Sequence, residues 1–423
     1  MSELSGTGMD ANLAKNTYHR YEKYINPGMA QLVKFMGFES VEVGSEGCYV
    51  HTSAGERFLD CYGGPGVFSM GHRPEQILSR VRDQLETMPL SSHILLNPVA
   101  GELAERLAEV TPGDLQYTFF CNSGAEAVEG ALKAARAYTG RGCFVATIGG
   151  FHGKTLGALS ASGREVYRKP FEPLVPGFSH VPFGDADELA RAVTDETAGV
   201  ILEPIQGEAG VIVPPEGYLA AAREICDASG ALLILDEIQT GMARTGVMWA
   251  CEREGVVPDI MTMGKALGGG VMPLGAFIAR PEVWSIFEEN PYLHTSTFGG
   301  NPMACAAGLA ALDFVEQHDL CAAAAERGAQ MKRGFERIAA DQEGMIEDVR
   351  GEGLLIGVQF SHEDMAGLLI AALAGRGILA AYGLNNPGTI RFEPPLIITE
   401  EQVDEVIDGF EGALTGVAAM LEE

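Results

Sequence analysis

Short apolar runs alternate with amphipathic stretches between about residues 101 and 280. An amphipathic helix is predicted over residues 125–138, and the apolar runs have the length and composition of buried strands. Those runs are residues 117–121 (YTFFC), 143–149 (CFVATIG), 199–204 (GVILEP), 231–237 (ALLILDE) and 259–263 (DIMTM). Because buried strands with helices between them pair through βαβ crossovers, the pattern predicts an α/β fold with a mostly parallel sheet.

The pattern changes on both sides of this region. After about residue 319 come an Ala-rich helical stretch (321–340), an alternating stretch (353–360) and an acidic amphipathic helix (399–422). This order favours a smaller α+β domain, with a short N-terminal meander over residues 41–63 packed against it. We therefore predict three parts: an N-terminal arm with part of the small domain (1–75), a large domain (76–318) and the C-terminal small domain (319–423).

Composition and charge narrow the class of partner. Of the 423 residues, 46% are hydrophobic and 21% are charged, as in globular proteins. The formal net charge is −29, because 58 Asp and Glu stand against 29 Lys and Arg. A field of this sign argues against nucleic acid or an anionic membrane as partner. The acidity is explained by a solvated surface, and adaptation to salt is the alternative hypothesis.

The cysteines point to a reducing compartment. Eight cysteines are spread along the chain without a C-x-x-C pair, so neither a zinc framework nor a disulfide scaffold is indicated, and no metal site is expected. The first twenty residues lack an apolar signal core, and no apolar run approaches the length of a membrane span. A cytoplasmic location is expected.

Candidate chemistry begins where the predicted strands end. Asp236 follows the apolar run 231–235, and ligands of open α/β sheets bind at the carboxyl ends of such strands. Burial of its carboxylate requires a partner, for which a protonated pyridine nitrogen or a helix start would serve. Ser123, Gly124 and Ala125 form a strand-to-helix corner that is either a phosphate-binding helix N-terminus or an ordinary N-cap.

A lysine and an aromatic residue lie in glycine-rich segments that could approach the same ligand. Lys265 follows the run 259–263 and precedes three glycines, so its amine is expected to lose water, which lowers its pKa and suits Schiff-base chemistry. Phe151 lies between glycines and could stack on a flat ring, or be core, and His152 beside it could be structural. The segment 294–302 supplies hydroxyls near a Gly-Gly turn.

Together these segments resemble the class III, ornithine-type aminotransferases of the fold-type-I pyridoxal-phosphate (PLP) enzymes, over about residues 24–395. The segments FFCNSGAEAVE, GFHGKTLGALSA, LLILDEIQTGMARTG and LHTSTFGGNPMACAA carry the resemblance. The putrescine (diamine) aminotransferases are the most similar branch. The resemblance implies a large domain with a seven-stranded, mostly parallel sheet, and PLP as cofactor.

The resemblance also implies roles for individual residues. Lys265 would bind the cofactor covalently and move the substrate proton, Asp236 would pair with the ring nitrogen and Gln239 with the ring hydroxyl. Arg391 would bind the carboxylate of the keto acid, and Glu208 would pair with that arginine or swing away from it. The remaining implied contacts to the cofactor or its surroundings are Ser123, Gly124, Ala125, Phe151, His152, Glu203 and, from the neighbouring subunit, Thr297.

The implied reaction is a ping-pong transfer of an amino group from putrescine or cadaverine to 2-oxoglutarate, in a homodimer with shared active sites or a higher oligomer. Ornithine, acetylornithine and 4-aminobutyrate aminotransferases share the cofactor residues, and differ in an outer pocket that Tyr24 and residues 63–68 would line. A PLP-dependent aminomutase or racemase would use Lys265 and Asp236 without an external keto acid. A binding protein without activity would lack a catalytic residue, and none is missing.

Overall fold

The computed structural model describes residues 11–36, 40–342 and 344–422, so the first ten residues of the expected N-terminal arm lie outside the described residues. The described arm consists of helices α1 (Ala11–Tyr24) and α2 (Pro27–Phe35). Asn26 begins α2, because its side-chain oxygen accepts from the N–H of Gly28 at 2.9 Å and Pro27 occupies the first turn.

The N-terminal meander joins the C-terminal part of the chain in one sheet. Strands β1 (Glu42–Glu46), β2 (Tyr49–Thr52) and β3 (Arg57–Asp60) pair antiparallel in sequence order. The short strand β13 (Ile378–Leu379) adds to β3 in parallel. The expected packing of the meander against the C-terminal segment is thus present in the sheet, while the three domain boundaries remain a prediction.

A seven-stranded sheet organises the large domain. Its order is β4-β10-β9-β8-β7-β5-β6, and all strands are parallel except β10, which runs antiparallel to both neighbours. The strands are β4 (Tyr117–Cys121), β5 (Cys143–Thr147), β6 (Phe178–Val181), β7 (Thr197–Leu202), β8 (Leu232–Asp236), β9 (Ile260–Met263) and β10 (Gly275–Ala279). The five strands expected from the sequence are confirmed, and the fold is the expected α/β architecture with a mostly parallel seven-stranded sheet.

Helices connect these strands and cover both faces of the sheet. They are α3 (Gly63–Gly66), α4 (Glu75–Thr87), α5 (Pro98–Val110), α6 (Gly124–Thr139), α7 (Leu156–Ala161), α8 (Glu165–Arg168), α9 (Ala186–Ala192), α10 (Tyr218–Ser229), α11 (Pro281–Glu288) and α12 (Pro302–Gln317). Short 3₁₀ helices span Lys169–Phe171, Ala250–Glu254 and Lys265–Gly268. The predicted helix over residues 125–138 corresponds to α6.

The smaller part of the fold is an antiparallel sheet, of order β11-β12-β15-β14, with three helices. Its elements are α13 (Leu320–Asp341), β11 (Ile346–Glu352), β12 (Leu355–Phe360), α14 (Glu363–Ala374), β14 (Ala381–Gly383), β15 (Asn386–Phe392) and α15 (Glu400–Glu422). The predicted helices over 321–340 and 399–422 correspond to α13 and α15. Over the described ranges, no helix combines the length and apolar character needed to cross a membrane.

The buried centre of the large sheet explains why its strands are continuous apolar runs. Every residue of β8 is buried, and its side chains alternate between two apolar clusters, with Leu233 and Leu235 on one face and Leu232 and Ile234 on the other. Because β4, β7, β8 and β9 are parallel, the residues that follow them meet at one edge of the sheet. The candidate site lies at this edge.

Candidate active site

Asp236, the last residue of β8, is a buried carboxylate whose orientation is fixed by three donors. Its Oδ2 lies 2.7 Å from Nδ1 of His152, and its Oδ1 accepts from the hydroxyl of Thr262 and the N–H of Ile238, each at 3.1 Å. Burial alone would lower the pKa of His152, but the hydrogen bond and charge of Asp236 outweigh it and raise that pKa. The contact therefore favours the protonated form of the His152 imidazole.

Lys265 follows β9 and Gly264 in the chain, and its amine points into the same region. Its backbone has a φ of +46°, a left-handed conformation that costs energy for a residue with a side chain. Its Nζ donates to Oε1 of Gln239. Burial lowers the pKa of Lys265, and Arg391 lowers it further, against the opposing charge of Glu393. The shift makes the amine easier to deprotonate than that of an ordinary lysine, which suits nucleophilic and proton-transfer chemistry.

The corner between β4 and α6 presents the start of a helix. Ser123 is the N-cap residue, with extended backbone, and its hydroxyl accepts from the N–H of Glu126 at 3.3 Å. The first N–H groups of α6, which begins at Gly124, have no acceptor within the helix, and the helix dipole places partial positive charge there. A Cβ at Gly124 would lie 2.6 Å from Cδ1 of Ile238, so glycine allows Ile238 to pack against the start of α6, where the free N–H groups suit an anion.

Phe151 and Glu203 are linked to one another at the side of the cavity. Oε2 of Glu203 accepts from the N–H of Phe151 at 2.9 Å, and Oε1 accepts from the N–H of Gly207 at 3.2 Å. Glu203 is almost fully buried, and burial raises the pKa of its carboxyl group to about 7. Glu203 therefore fixes the loop that carries Phe151.

A buried arginine lies between two glutamates at the other end of the site. Arg391 is 1% exposed; its Nη1 lies 3.1 Å from Oε1 of Glu208, and its Nε lies 3.1 Å from Oε1 of Glu393. Burial alone would raise the pKa of Glu208, but the charges of Arg391 and Lys265 outweigh it and lower that pKa. Glu208 is therefore ionised in its pair with the guanidinium.

Most of the residues expected at the site come together around one cavity of about 210 Å³. Its lining comprises Gly124, Ala125, Phe151, His152, Gly153, Glu203, Gly207, Glu208, Asp236, Ile238, Gln239 and Lys265. Ser123 adjoins the cavity as the N-cap of α6, and Arg391 adjoins it through Glu208. The arrangement brings together side chains from segments far apart in the chain.

Two further expected residues lie outside this lining. Tyr24 is 72% exposed on the N-terminal helix, and Thr297 is exposed in the segment between α11 and α12. Ser296, the neighbour of Thr297, is held to the corner of the site by Asn122, whose side-chain amide lies 3.3 Å from the Ser296 hydroxyl. The roles of Tyr24 and Thr297 stay predictions. The stretch 63–68 does approach the site, since a Cβ at Gly66 would lie 2.4 Å from the Gln239 amide.

Glu393 is a site residue that the sequence reasoning missed. It is fully buried, its Oε1 accepts from Nε2 of Gln239 at 2.9 Å, and the same oxygen contacts Arg391. Alternate residues of an extended chain share a face, so the spacing of Arg391 and Glu393 indicated a shared face but not that this face meets Gln239. Glu393 connects the lysine–glutamine contact to the arginine.

Comparison with known proteins identifies the family. Residues 38–414 match the family described as aminotransferase class-III, which covers most of the chain. The chain belongs to the class III aminotransferases. The match confirms the expected transferase class and its cofactor, PLP. The family match does not distinguish putrescine aminotransferases from other members, so the expected relation to that branch depends on the substrate.

Solved aminotransferase structures share the fold over nearly the whole chain. An ornithine aminotransferase from Toxoplasma gondii, with PLP at partial occupancy in its active site, has a TM-score of 0.90 and 30% identity, covering 97% of this chain and 96% of that chain. An (S)-enantioselective omega-transaminase from Thermomicrobium roseum has a TM-score of 0.87 and 30% identity, with coverages of 97% and 100%. An acetylornithine aminotransferase from Elizabethkingia anophelis has a TM-score of 0.78 and 32% identity, with coverages of 89% and 94%.

The residues around the cavity have the chemical groups that PLP binding requires. The N-terminus of α6 suits the phosphate, Asp236 suits a protonated ring nitrogen, and Lys265 would supply the amine that holds the cofactor. Phe151 lines the same cavity and suits a flat ring. When bound, PLP supplies an electron sink for negative charge at a substrate carbon.

The protein groups then have separable tasks. The lowered pKa of Lys265 keeps its amine able to accept a proton from a substrate carbon and to return it. Asp236, fixed by His152, would stabilise positive charge at the ring nitrogen. Gln239 positions Lys265 and is itself fixed by Glu393. Arg391 carries a guanidinium, which could bind a carboxylate in bidentate geometry if Glu208 moved away.

His152→Ala should destabilise the cofactor-free protein by about 3 kcal/mol, because it leaves the buried Asp236 without its ionic partner. Urea unfolding of the two proteins measures the loss. His180→Ala is the matched control, because His180 contacts Arg168 and the carbonyl of Ala161 rather than a carboxylate. Equal losses in the two variants would contradict a specific role of the His152–Asp236 pair.

Proposed function

We propose that this enzyme transfers an amino group from a diamine or ω-amine, putrescine or cadaverine, to 2-oxoglutarate. The observation that supports the proposal is the buried Glu208–Arg391–Glu393 arrangement beside the cavity of Lys265. A ping-pong transaminase must accept both a cationic donor and an anionic acceptor at one site. This arrangement offers a group for each.

The charges of the arrangement favour different substrates in its two forms. With Glu208 in place, the two carboxylates exceed the single guanidinium by one negative charge, which favours the distal ammonium of a diamine. With Glu208 withdrawn, the guanidinium of Arg391 keeps only Glu393 as partner and becomes open to a carboxylate. The exchange would let one pocket serve both half-reactions.

Ornithine, acetylornithine and 4-aminobutyrate remain the alternative donors. The solved relatives include an ornithine, an acetylornithine and an omega-transaminase at 30–32% identity. The cofactor residues do not distinguish these substrates, because aminotransferases acting on each of them share those residues. Selectivity depends instead on groups of the outer pocket, each of which changes it by a few kcal/mol. An aminomutase or racemase differs in needing no acceptor, and the family match favours the transferase.

We also propose a homodimer in which Thr297 reaches the cofactor phosphate of the partner subunit. Exposed apolar side chains near the expected contact support this, because solvent-exposed apolar patches mark protein interfaces. Leu96 is 99% exposed, Ile94 is 88% exposed and Tyr292 is 84% exposed. The free thiols of the cysteines suit the cytoplasmic location, which also remains a proposal.

A donor screen tests the substrate. With 2-oxoglutarate as acceptor, glutamate formation should be fastest with putrescine or cadaverine and at least about tenfold slower with ornithine, acetylornithine and 4-aminobutyrate, the range that a few pocket contacts provide. Reactions without acceptor form the control and should give no sustained turnover. Activity on ornithine without activity on diamines would overturn the donor assignment, and turnover without acceptor would indicate an isomerase.

A further inference from the structure

Leu384, in the turn between β14 and β15, connects Glu208 to side chains outside the cavity. Its N–H donates to Oε2 of Glu208 at 2.8 Å. Its carbonyl oxygen accepts from the hydroxyl of Tyr167 at 3.0 Å and from Nη1 of Arg164. The main chain of one residue thus contacts the glutamate of the site on one side and two donors on the other.

The turn is held against the main chain of Glu208 by the residues on either side of Leu384. The N–H of Asn385 donates to the carbonyl of Glu208 at 2.9 Å, and its side-chain amide donates to the carbonyl of Gly149 at 2.8 Å. A Cβ at Gly383 would lie 2.6 Å from the Glu208 carbonyl oxygen. The turn therefore has a fixed position from which the Leu384 N–H is directed at the carboxylate.

Tyr167 and Arg164 belong to the segment around α8 and are themselves supported. The ammonium of Lys154 lies 3.3 Å from the centre of the Tyr167 ring, and the guanidinium of Arg164 lies 5.6 Å from it. Cations over an aromatic face are attracted to it, so this contact fixes the ring. Neither Tyr167 nor Arg164 lines the cavity of Lys265.

The two oxygens of Glu208 have different partners. Oε1 contacts Arg391 at 3.1 Å, and Oε2 accepts from Leu384 at 2.8 Å. A carboxylate ligand can take over Arg391 only if Glu208 leaves it, and a rotation of the glutamate that breaks the first contact also moves Oε2 away from the N–H. The second contact, a hydrogen bond to an ionised acceptor, therefore stabilises the arrangement in which Arg391 is closed to carboxylates.

We infer that Tyr167 and Arg164 are positioning residues that set, through the main chain of Leu384, how readily Glu208 gives up Arg391 to a carboxylate ligand. The inference rests on the proposed exchange at Arg391. It assigns to residues outside the cavity a part in the balance between amine and carboxylate substrates. Weakening their hold on Leu384 shifts that balance toward carboxylates.

The test uses Tyr167→Phe, which removes one donor to Leu384 without changing charge and keeps the ring beneath Lys154. The ligand is glutarate, a dicarboxylate with neither a keto nor an amino group, titrated into the holoenzyme by calorimetry. Tyr167→Phe should lower the Kd for glutarate by about threefold, the fold-change expected for one weakened hydrogen bond. In steady state the KM for the keto acid should fall while the KM for the amine rises.

A double-mutant cycle with Glu208→Ala shows whether the effect passes through the glutamate. Without the Glu208 side chain, Tyr167→Phe should no longer change the Kd. Tyr117→Phe is the matched control, because Tyr117 begins β4 at the edge of the sheet away from the site, and it should leave the Kd unchanged.

Three results would overturn the inference: an unchanged Kd in Tyr167→Phe, a raised Kd, or a change of equal size in the Glu208→Ala background. The last would mean that Tyr167 acts on the ligand directly. Failure of the donor proposal is a separate result, because glutarate binding requires no turnover. An enzyme that rejects putrescine and still shows the coupled shift in Kd would keep this inference.

Discussion

Lys265→Ala should lose turnover and the visible absorption band of the lysine-bound cofactor together. The amine of Lys265 is the group that enters the cavity beside Asp236 and Gln239, and its lowered pKa suits proton transfer. Loss of a positioned general base alone typically slows a reaction by about 10²–10⁴-fold. Loss of covalent attachment adds to this, so we expect no measurable steady-state rate.

The measurement combines an absorption spectrum of the purified variant with PLP and a single-turnover reaction with the amine donor. Lys169→Ala is the matched control, because Lys169 lies in the 3₁₀ segment Lys169–Phe171 at the surface. The control should keep both the band and the rate. A Lys265→Ala protein that retains either would refute the assignment of this lysine.

The positions of Lys265 and Asp236 were predictable because they depend on local order along the chain. Each follows an apolar run with the length of a buried strand, and parallel strands bring their carboxyl ends to one edge. The corner at Ser123 follows from the same rule. Once the apolar runs are identified as parallel strands, these three positions can be placed at one edge of the sheet without knowledge of distant contacts.

Features that depend on tertiary contacts were not predictable from the sequence. The pairing of His152 with Asp236 joins residues 84 positions apart, and no local pattern distinguishes it from a structural histidine. Glu393 enters the site because β15 ends beside Gln239, a contact between the two parts of the fold. The reversed direction of β10 is likewise set by its two partners, since an apolar run reads the same in either direction.

A third group consists of Thr297, which is expected to act across a subunit boundary, and Tyr24, which is expected to line the outer pocket. Thr297 is exposed in the single chain, and its neighbour Ser296 is anchored to Asn122 of the same chain. Tyr24 is exposed on a helix of the arm. A side chain that completes its contacts only in an assembly gives no packing signal within one chain, so its role follows from resemblance alone and stays a prediction.

The role proposed for Arg391, at the far end of the site, differs between the half-reactions. Arg391→Ala should lower kcat/KM for the keto acid by roughly 10²-fold or more, the cost of truncating one partner of a buried charge pair. The diamine half-reaction should fall far less, because a cationic donor gains nothing from a guanidinium. Stopped-flow measurement of each half-reaction separates the two effects.

Arg391→Ala leaves the buried Glu208 and Glu393 without their cationic partner and could therefore fold poorly. Two further variants keep the prediction testable in that case. Arg391→Lys retains the charge and loses the bidentate geometry, so it should show the same asymmetry at smaller amplitude. Glu208→Gln should show the opposite asymmetry, with the diamine half-reaction weakened more than the keto-acid half-reaction, because it removes the charge that closes Arg391 to carboxylates. Equal losses in both half-reactions across all three variants would mean that Arg391 supports the structure of the site without recognising the acceptor.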